Sequence, residues 1–197
     1  GRAWIEGEEP GGFLGPCPWH ISGCGDIDIL GFRKPWSYYR EALWQPGVLC
    51  VAVHRPLAAG RKEKVTQWGW PDVRSHWTWP GQEGKPLALA VYSSCDRVTL
   101  TLNGRKIGEK PTSRAEKHRA EFEVPYEPGE LAARGETAGK PPVEMKLRTA
   151  KKPAALRLSA DRIAIRASRD DLSYALVELV DADGTVVPEA HPVVRAS

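Results

Sequence analysis

Long apolar runs and charge of one sign are both missing from this sequence of 197 residues. Its longest apolar run, residues 47–53, falls far short of the ~20 residues that cross a membrane. The 28 Lys and Arg residues oppose 25 Asp and Glu residues, and the two signs are interspersed, as over residues 114–121. Such mixing is typical of a solvated surface and differs from the clustered basic stripe that nucleic acid requires. We therefore expect no membrane span and no nucleic acid partner.

Cysteine is scarce, and its spacing is unlike that of a metal site. The cysteines are Cys17, Cys24, Cys50 and Cys95. No Cys-x-x-Cys pair occurs, and the histidines also lack the close spacing of zinc ligands. We expect neither metal nor cofactor. We interpret the thiols as buried and reduced, with a Cys17–Cys24 disulfide or metal pair as the alternative.

An initiating methionine and a signal peptide are also lacking at Gly1. This start predicts a fragment or a processed chain. The 41% hydrophobic content is nevertheless that of a globular protein with a core.

Apolar residues that alternate with polar or small ones dominate the middle of the chain and predict strands. The predicted strands cover residues 48–53, 87–91, 98–102, 118–124, 130–134 and 143–147. Asn103-Gly104 predicts a tight hairpin, because both positions tolerate positive φ. Pro35 and the i, i+4 pair Tyr39 and Leu43 predict a short helix ahead of the strands. The pattern is that of a mainly β fold, an immunoglobulin-like antiparallel β-sandwich of ~100 residues.

A basic, proline-containing joint at residues 150–153 precedes a third unit. Alternation resumes at residues 156–158, 163–165 and 173–180, and a turn is expected at residues 181–184. Only 47 residues follow Ala150 in the chain of 197, about half of the ~100 that such a sandwich needs. We therefore expect a partial second β-sandwich.

Several motifs resemble, in the same order, enzymes of glycoside hydrolase family 2, the group with β-galactosidases and β-glucuronidases. Residues 17–44, with Gly-x-x-Asp-x-x-Gly-Phe ahead of a Tyr-Tyr helix, resemble the segment that closes the family's (β/α)8 barrel. Residues 76–84, His-Trp-x-Trp-x-Gly-x-Glu-Gly, and the hairpin at residues 102–105 are similar to the fourth domain. Residues 124–154 resemble that domain's end and the linker beyond, and residues 172–184 the start of the fifth domain. The shared order over nearly the whole chain makes the resemblance specific.

The resemblance implies three parts and a role. Residues 1–46 would be the end of the barrel, residues 47–150 the fourth-domain sandwich, and residues 151–197 the truncated start of a further sandwich. The chain would be the non-catalytic carboxy-terminal portion of a retaining exo-glycosidase, most similar to β-galactosidases, which packs on the upstream barrel and meets carbohydrate through the parent enzyme. Both catalytic glutamates would lie upstream of residue 1, so the chain alone is expected to be inactive. For the parent, a bacterial periplasmic or secreted location is favoured over a cytoplasmic one.

Three residues of the barrel end are the candidates for sugar contact: Trp4, Trp19 and His20. An aromatic face stacks on the apolar C–H face of a pyranose, and the final barrel loop would line the rim of the site. Packing in the barrel mouth is the alternative for Trp4, and a structural role for His20. We interpret the glutamates within residues 6–9 as solvated carboxylates, because the family places its acid and nucleophile on different strands.

Trp68, Trp70, Trp77 and Trp79 allow two interpretations. Spacing i, i+2 places both rings of a pair on one side of an extended strand, which would suit a stand-alone carbohydrate-binding module. The family resemblance and the dense Pro and Gly favour rings that wedge the sandwich against the barrel, because large aromatics dominate such contacts. A structural β-sandwich adaptor for protein contacts is the third hypothesis.

Overall fold

A computed structural model describes the backbone of residues 3–5, and residues 25–28, 31–65, 69–188 and 190. Within them, the helix α1 (Pro35–Trp44) lies where the sequence predicts a helix. The strands are β1 (Ala3–Ile5), β2 (Leu49–His54), β3 (Glu63–Val65), β4 (Val73–Arg74), β5 (Pro86–Ser93), β6 (Arg97–Leu102), β7 (Arg105–Pro111), β8 (Arg119–Pro125), β9 (Glu130–Glu136), β10 (Val143–Arg148), β11 (Pro153–Ala160) and β12 (Ala175–Asp181). None of the described helical residues forms a span long and apolar enough to cross a membrane.

Two four-stranded antiparallel sheets, in the orders β4-β2-β5-β8 and β10-β9-β6-β7, pack their inner faces together. Strand β6 illustrates why these residues form a sandwich: Val98, Leu100 and Leu102 are at most 1% exposed, whereas the threonines between them are half-buried. Because successive side chains of a strand point to opposite faces, this alternation supplies one apolar face to the core. The predicted mainly β sandwich is confirmed.

The hairpin between β6 and β7 turns at the predicted residues. Asn103 has a φ of 50° and Gly104 a φ of 78°, as a two-residue turn that follows strand twist requires. The Asn103 side chain also accepts a hydrogen bond from the Glu130 amide at 2.9 Å and donates one to the Pro128 carbonyl at 3.1 Å. This turn therefore fixes the start of β9 as well as the β6–β7 register.

Strand β2 is buried on both faces, which explains the continuous apolar run that the sequence shows there. Its inner residues join the sandwich core, and its outer residues Cys50 and Ala52 join a second cluster with Ala42 of α1. The described helix thus covers part of the outer face of the sheet β4-β2-β5-β8.

The last unit is a two-stranded antiparallel sheet of β11 and β12. Hydrogen bonds at the joint connect it to the sandwich. The Lys151 amide donates a hydrogen bond to the Asp181 carboxylate at 2.8 Å, and the Ala150 amide donates one to the Thr78 hydroxyl at 2.9 Å. The hydrogen bonds from the backbone of Lys151, Thr185 and Asp183 lower the pKa of Asp181, so its carboxylate stays charged at neutral pH.

The expected strand at residues 163–165 is wrong. The Asp161 carboxylate accepts a hydrogen bond from the Tyr174 amide at 2.9 Å, and Asp171 accepts one from the Arg166 amide at 2.8 Å. Side-chain acceptors of this kind offer the backbone an alternative to a ladder, and they hold the segment as a loop.

Trp77 anchors one end of the sandwich core. The residue is 0% exposed, its indole N–H donates to the Glu127 carbonyl at 3.0 Å, and its ring meets Tyr126 edge to face at 5.1 Å. The Tyr126 hydroxyl accepts a hydrogen bond from the Trp79 amide at 3.1 Å, and Trp79 is 5% exposed. The two tryptophans are therefore part of the sandwich itself.

We expect Trp77→Ala to lower the free energy of unfolding by about 3–5 kcal/mol, through lost burial and the cavity that remains. Trp44→Ala is the matched control, because the Trp44 side chain is 72% exposed in this chain; its effect should stay within about 0.5 kcal/mol. Urea unfolding followed by circular dichroism measures both. Equal effects of the two substitutions would contradict the placement of Trp77 in the core.

Candidate functional site

The predicted sugar-contact residues lie mostly outside the described part of the chain. Trp4 is in β1, where its backbone pairs antiparallel with Lys64 of β3, and its side chain is not among the described ones. Trp19 and His20 lie outside the described residues, as do Cys17 and Cys24. A role of Trp4, Trp19 and His20 in binding sugar therefore stays a prediction.

The four connection tryptophans separate into different environments. Trp77 and Trp79 are buried in the sandwich core, so neither ring offers a face on which a sugar could stack. Trp68 lies outside the described residues. Trp70 is half-buried and packs against the second cluster, on the outer face of the sheet. Trp77 and Trp79 therefore cannot belong to a glycan-binding surface formed by all four rings.

Trp70 is the centre of an aromatic cluster between α1 and the sheet. Its ring centroid is 4.7 Å from that of Trp36 and 5.7 Å from that of Tyr39, and the Tyr39 ring is stacked on it. Tyr92 of β5 completes the cluster, 5.4 Å from Tyr39 and 6.2 Å from Trp70. Pairs at these distances are worth about 0.5–1.5 kcal/mol beyond their buried area. We call Trp36, Tyr39, Trp70 and Tyr92 the junction cluster.

Small residues allow α1 to approach the sheet closely. Ala42 of the helix and Ala52 and Ala90 of the sheet are each 0% exposed. Residues of this size leave room for the large rings of the junction cluster beside them, because protein interiors are close-packed. The junction is therefore built as a packed interface, in which the helix side chains and the outer sheet face share one apolar cluster.

Polar contacts fix the helix on this surface. The Tyr39 hydroxyl donates to the Lys117 carbonyl at 2.8 Å. Arg33 donates to Glu41 and, at 3.2 Å, to the Ser37 hydroxyl. These bonds tie the segment ahead of α1, and the loop that precedes β8, to the helix.

The loop between β7 and β8 holds strained backbone at this contact. Lys117 and His118 each have a φ of 56°, a left-handed conformation that costs non-glycine residues roughly 1–2 kcal/mol each. The Lys117 carbonyl accepts the Tyr39 hydrogen bond, and the His118 carbonyl accepts one from the Ser93 amide at 3.1 Å. Sequence reasoning missed this loop, because no glycine or Asn-Gly pair marks it.

Apolar side chains at the end of α1 and just ahead of it are exposed. Trp44 is 72% and Leu43 40% exposed, and Ile27 and Phe32, ahead of the helix, are 57% and 49% exposed. We call Trp44, the most exposed of these residues, and its neighbour Leu43 the outer helix face.

Burial favours the uncharged form of several titratable groups in α1 and in the sheet that it packs on. Burial raises the pKa of the Cys50 thiol to about 11, with the Glu41 carboxylate 3.8 Å away as a further cause. Burial also raises the pKa of Tyr38 and of Tyr92, and it lowers the pKa of His54. Cys50 and Cys95 are both free and buried, which confirms the interpretation of these two cysteines.

In the described part of the chain, every carboxylate with a resolved pKa shift has a lowered pKa, which keeps it ionised. They are Glu109, Glu116, Glu130, Glu136, Asp161 and Asp181. The cause is the same throughout: donors or cations such as Arg97 beside Glu136 and Arg148 beside Glu130 stabilise the charged form. The general acid of a glycosidase needs the opposite shift. Over the residues described, no group of three or more His, Cys, Asp or Glu could hold a metal ion.

The comparisons with known proteins agree with the family resemblance. The model of a family described as a domain of unknown function, DUF4982, matches residues 84–142. Beta-galactosidase BoGH2A of Bacteroides ovatus is 36% identical over 179 residues, which are 90% of this chain and 18% of that protein. A glycosyl hydrolase family 2 member from Bacteroides cellulosilyticus superposes with a TM-score of 0.74 at 38% identity, covering 83% of this chain and 22% of that one.

A beta-glycosidase from Bacteroides vulgatus is a more distant structural relative. It has a TM-score of 0.64 and 27% identity, over 83% of this chain and 18% of that one. The chain therefore spans about a fifth of the length of the relatives that it matches.

We expect Trp70→Ala to loosen α1 while the sandwich stays folded. Removal of a half-buried indole should lower stability by about 2–3 kcal/mol, less than at a fully buried site. Hydrogen exchange should then quicken over Pro35–Trp44 and stay slow in β5 and β6. Trp70→Phe is the control, because it keeps an aromatic ring at the centre of the cluster. An unchanged exchange rate in α1 would mean that other contacts hold the helix.

Proposed function

Because this chain belongs to glycoside hydrolase family 2, we propose that it is the non-catalytic carboxy-terminal portion of a retaining exo-glycosidase. The observation that carries the proposal is the match to beta-galactosidase BoGH2A over 90% of this chain and 18% of that protein. A terminal β-galactoside is the substrate that we propose for the parent enzyme. We propose the same three parts as above, with boundaries after residues 46 and 150.

The role of this portion is mechanical. Retaining hydrolysis needs a carboxylic acid and a nucleophilic carboxylate about 5 Å apart, one of them with a raised pKa. The described carboxylates with displaced pKa values are all stabilised as anions, in surface pairs such as Arg97–Glu136 at 2.7 Å and Arg148–Glu130 at 2.9 Å. These pairs support a scaffold and supply no general acid.

Helix α1 is the element that would couple the sandwich to the catalytic barrel. One side of it is packed on the sheet through Tyr39 and Ala42, and the Tyr39 hydroxyl is bonded to the Lys117 carbonyl. Trp44 of the outer helix face is 72% exposed in this chain. A helix with apolar residues on both sides is suited to lie between two bodies. We propose that the upstream barrel covers the outer helix face.

The carbohydrate-binding module is the weaker candidate. Its rings were to be Trp68, Trp70, Trp77 and Trp79. Burial of Trp77 and Trp79 removes two of them, and contacts with Trp36 and Tyr39 occupy Trp70. The interpretation that these rings wedge the sandwich against the barrel is wrong for Trp77 and Trp79, which lie in the sandwich core, whereas Trp70 packs against α1.

We expect the 197-residue chain to hydrolyse neither nitrophenyl β-galactoside nor nitrophenyl β-glucuronide, whereas the full-length protein hydrolyses the galactoside. The reason is that the acid and the nucleophile belong to the upstream barrel. Release of nitrophenol by both proteins, at equal molar concentration, measures this. Turnover by the 197-residue chain that disappears when one of its own carboxylates is replaced would refute the proposal.

A second measurement addresses the outer helix face. We expect Trp44→Glu to lower the melting temperature of the full-length protein by several degrees, because a charge would be buried against the barrel. The same substitution should have little effect on the 197-residue chain, where Trp44 is 72% exposed. Leu57→Glu, at an exposed residue of the β2–β3 connection, is the control in both proteins. Equal shifts for Trp44→Glu in the two proteins would place the barrel contact elsewhere.

A further inference from the structure

Asn103 is the only asparagine among the 197 residues of the chain, and Gly104 follows it. Asparagine is a heat-labile residue, because the backbone nitrogen of the next residue attacks its side-chain carbonyl carbon. A glycine at that next position has no side chain to hinder the attack. Asn103 is also exposed, at the turn between β6 and β7. The single asparagine of the chain therefore lies at a position that is open to this chemistry.

The folded chain holds both ends of the Asn103 side-chain amide. Its oxygen accepts a hydrogen bond from the Glu130 amide at 2.9 Å, and its nitrogen donates one to the Pro128 carbonyl at 3.1 Å. The Asn103 backbone amide donates a third bond, to the Glu130 carbonyl at 2.9 Å. Attack on the side-chain carbon brings that carbon within bonding distance of the Gly104 nitrogen, which pulls the amide away from Pro128 and Glu130. The reaction therefore requires the turn to open.

Gly129 allows the Asn103 side chain to lie against this backbone. The φ of Gly129 is 140°, and a Cβ built on it would lie 1.8 Å from the Asn103 side-chain oxygen. A larger residue would have to displace the Asn103 amide. The glycine at position 129 therefore keeps the amide in place.

The segment that Asn103 holds leads to the joint at residues 150–153. The Gly129 amide donates to the Thr149 hydroxyl at 3.0 Å, and the Thr149 amide donates to the Gly129 carbonyl at 2.9 Å. The Thr149 hydroxyl also donates to the Trp77 carbonyl at 2.6 Å. Asn103 is thus connected, through Gly129, to the last residue before the joint begins.

We propose that Asn103 is the site at which this chain deamidates, and that its contacts with residues 128–130 delay the reaction in the folded protein. The Gly104 nitrogen forms a bond to the Asn103 side-chain carbon, and the bond from that carbon to the side-chain nitrogen breaks. The side-chain nitrogen leaves as ammonia, with the proton that the Gly104 nitrogen gives up. Water then opens the cyclic imide at either of its carbonyl carbons, which leaves aspartate or isoaspartate at position 103.

Either product weakens the connection to β9. An ionised aspartate only accepts hydrogen bonds, so it loses the bond to the Pro128 carbonyl and places a negative charge beside that oxygen. Isoaspartate adds one carbon to the backbone of a two-residue turn whose geometry sets the pairing of its strands. The modification therefore loosens residues 128–130 and, through Gly129, the backbone at Thr149.

The rate of deamidation tests the proposal. The 197-residue chain is kept at mildly alkaline pH, either folded or unfolded in guanidinium chloride. Intact mass follows the conversion of amide to acid, and peptide mapping locates it and separates aspartate from isoaspartate. Gly129→Ala is the variant that should displace the side chain. Gly139→Ala is its matched control, because Gly139 also has a positive φ, 73°, but a Cβ there would meet nothing within 4 Å.

We expect position 103 to deamidate about 10-fold or more slowly in the folded chain than in the unfolded one, as for a site that reacts only after local opening. Gly129→Ala should react several-fold faster than the wild type, while Gly139→Ala should keep the wild-type rate. Circular dichroism confirms that both variants are folded. In the deamidated chain, and in Asn103→Asp, hydrogen exchange should quicken at Gly129, Glu130 and Thr149.

Equal rates in the folded and the unfolded wild type would overturn the proposal. Equal rates for folded Gly129→Ala and Gly139→Ala would overturn the role of the contact with residues 128–130. The comparison of folded and unfolded wild type needs no substitution, so it decides the question even where Gly129→Ala does not fold. None of these measurements depends on hydrolysis of a glycoside.

Discussion

The burial of Trp77 requires that its indole N–H find an acceptor, and the Glu127 carbonyl supplies it at 3.0 Å. An unpaired N–H at that depth would cost about 1–3 kcal/mol. The backbone carbonyl of Trp77 accepts a hydrogen bond from the Thr149 hydroxyl, and that hydroxyl accepts one from the Gly129 amide at 3.0 Å. The β4–β5 connection, the turn after β8 and the end of β10 therefore meet around one ring. These three segments hold one end of the sandwich together around Trp77, and the joint at residues 150–153 continues from that end to the β11–β12 hairpin.

The outer face of the sheet β4-β2-β5-β8 is apolar at β2 and must also be covered. Strand β2 cannot leave its outer side to water, because Cys50 and Ala52 provide no polar surface there. Helix α1 and Trp70 cover that side, and the strained backbone at Lys117 brings a carbonyl to the Tyr39 hydroxyl. The helix thus packs on the outer face of this sheet, even though the family resemblance counts it with the barrel.

Sequence reasoning succeeded where a pattern is local. Alternation in β6 and β8, the Asn103-Gly104 turn and the short helix after Pro35 each depend on a few neighbouring residues. It failed at residues 163–165, because carboxylates from Asp161 and Asp171 capture backbone amides that a strand would have used. The junction cluster could not be predicted from the sequence. The contact between Trp36 and Trp70 joins residues 34 positions apart, and it depends on how the helix lies on the sheet.

Burial favours the uncharged form of several titratable groups in and near the junction. Burial raises the pKa of Cys50, Tyr38 and Tyr92 and lowers that of His54. Each shift favours the uncharged form, so these groups carry no charge between roughly pH 7 and pH 9, given their ordinary values. The protonation of these four groups therefore does not change over that interval.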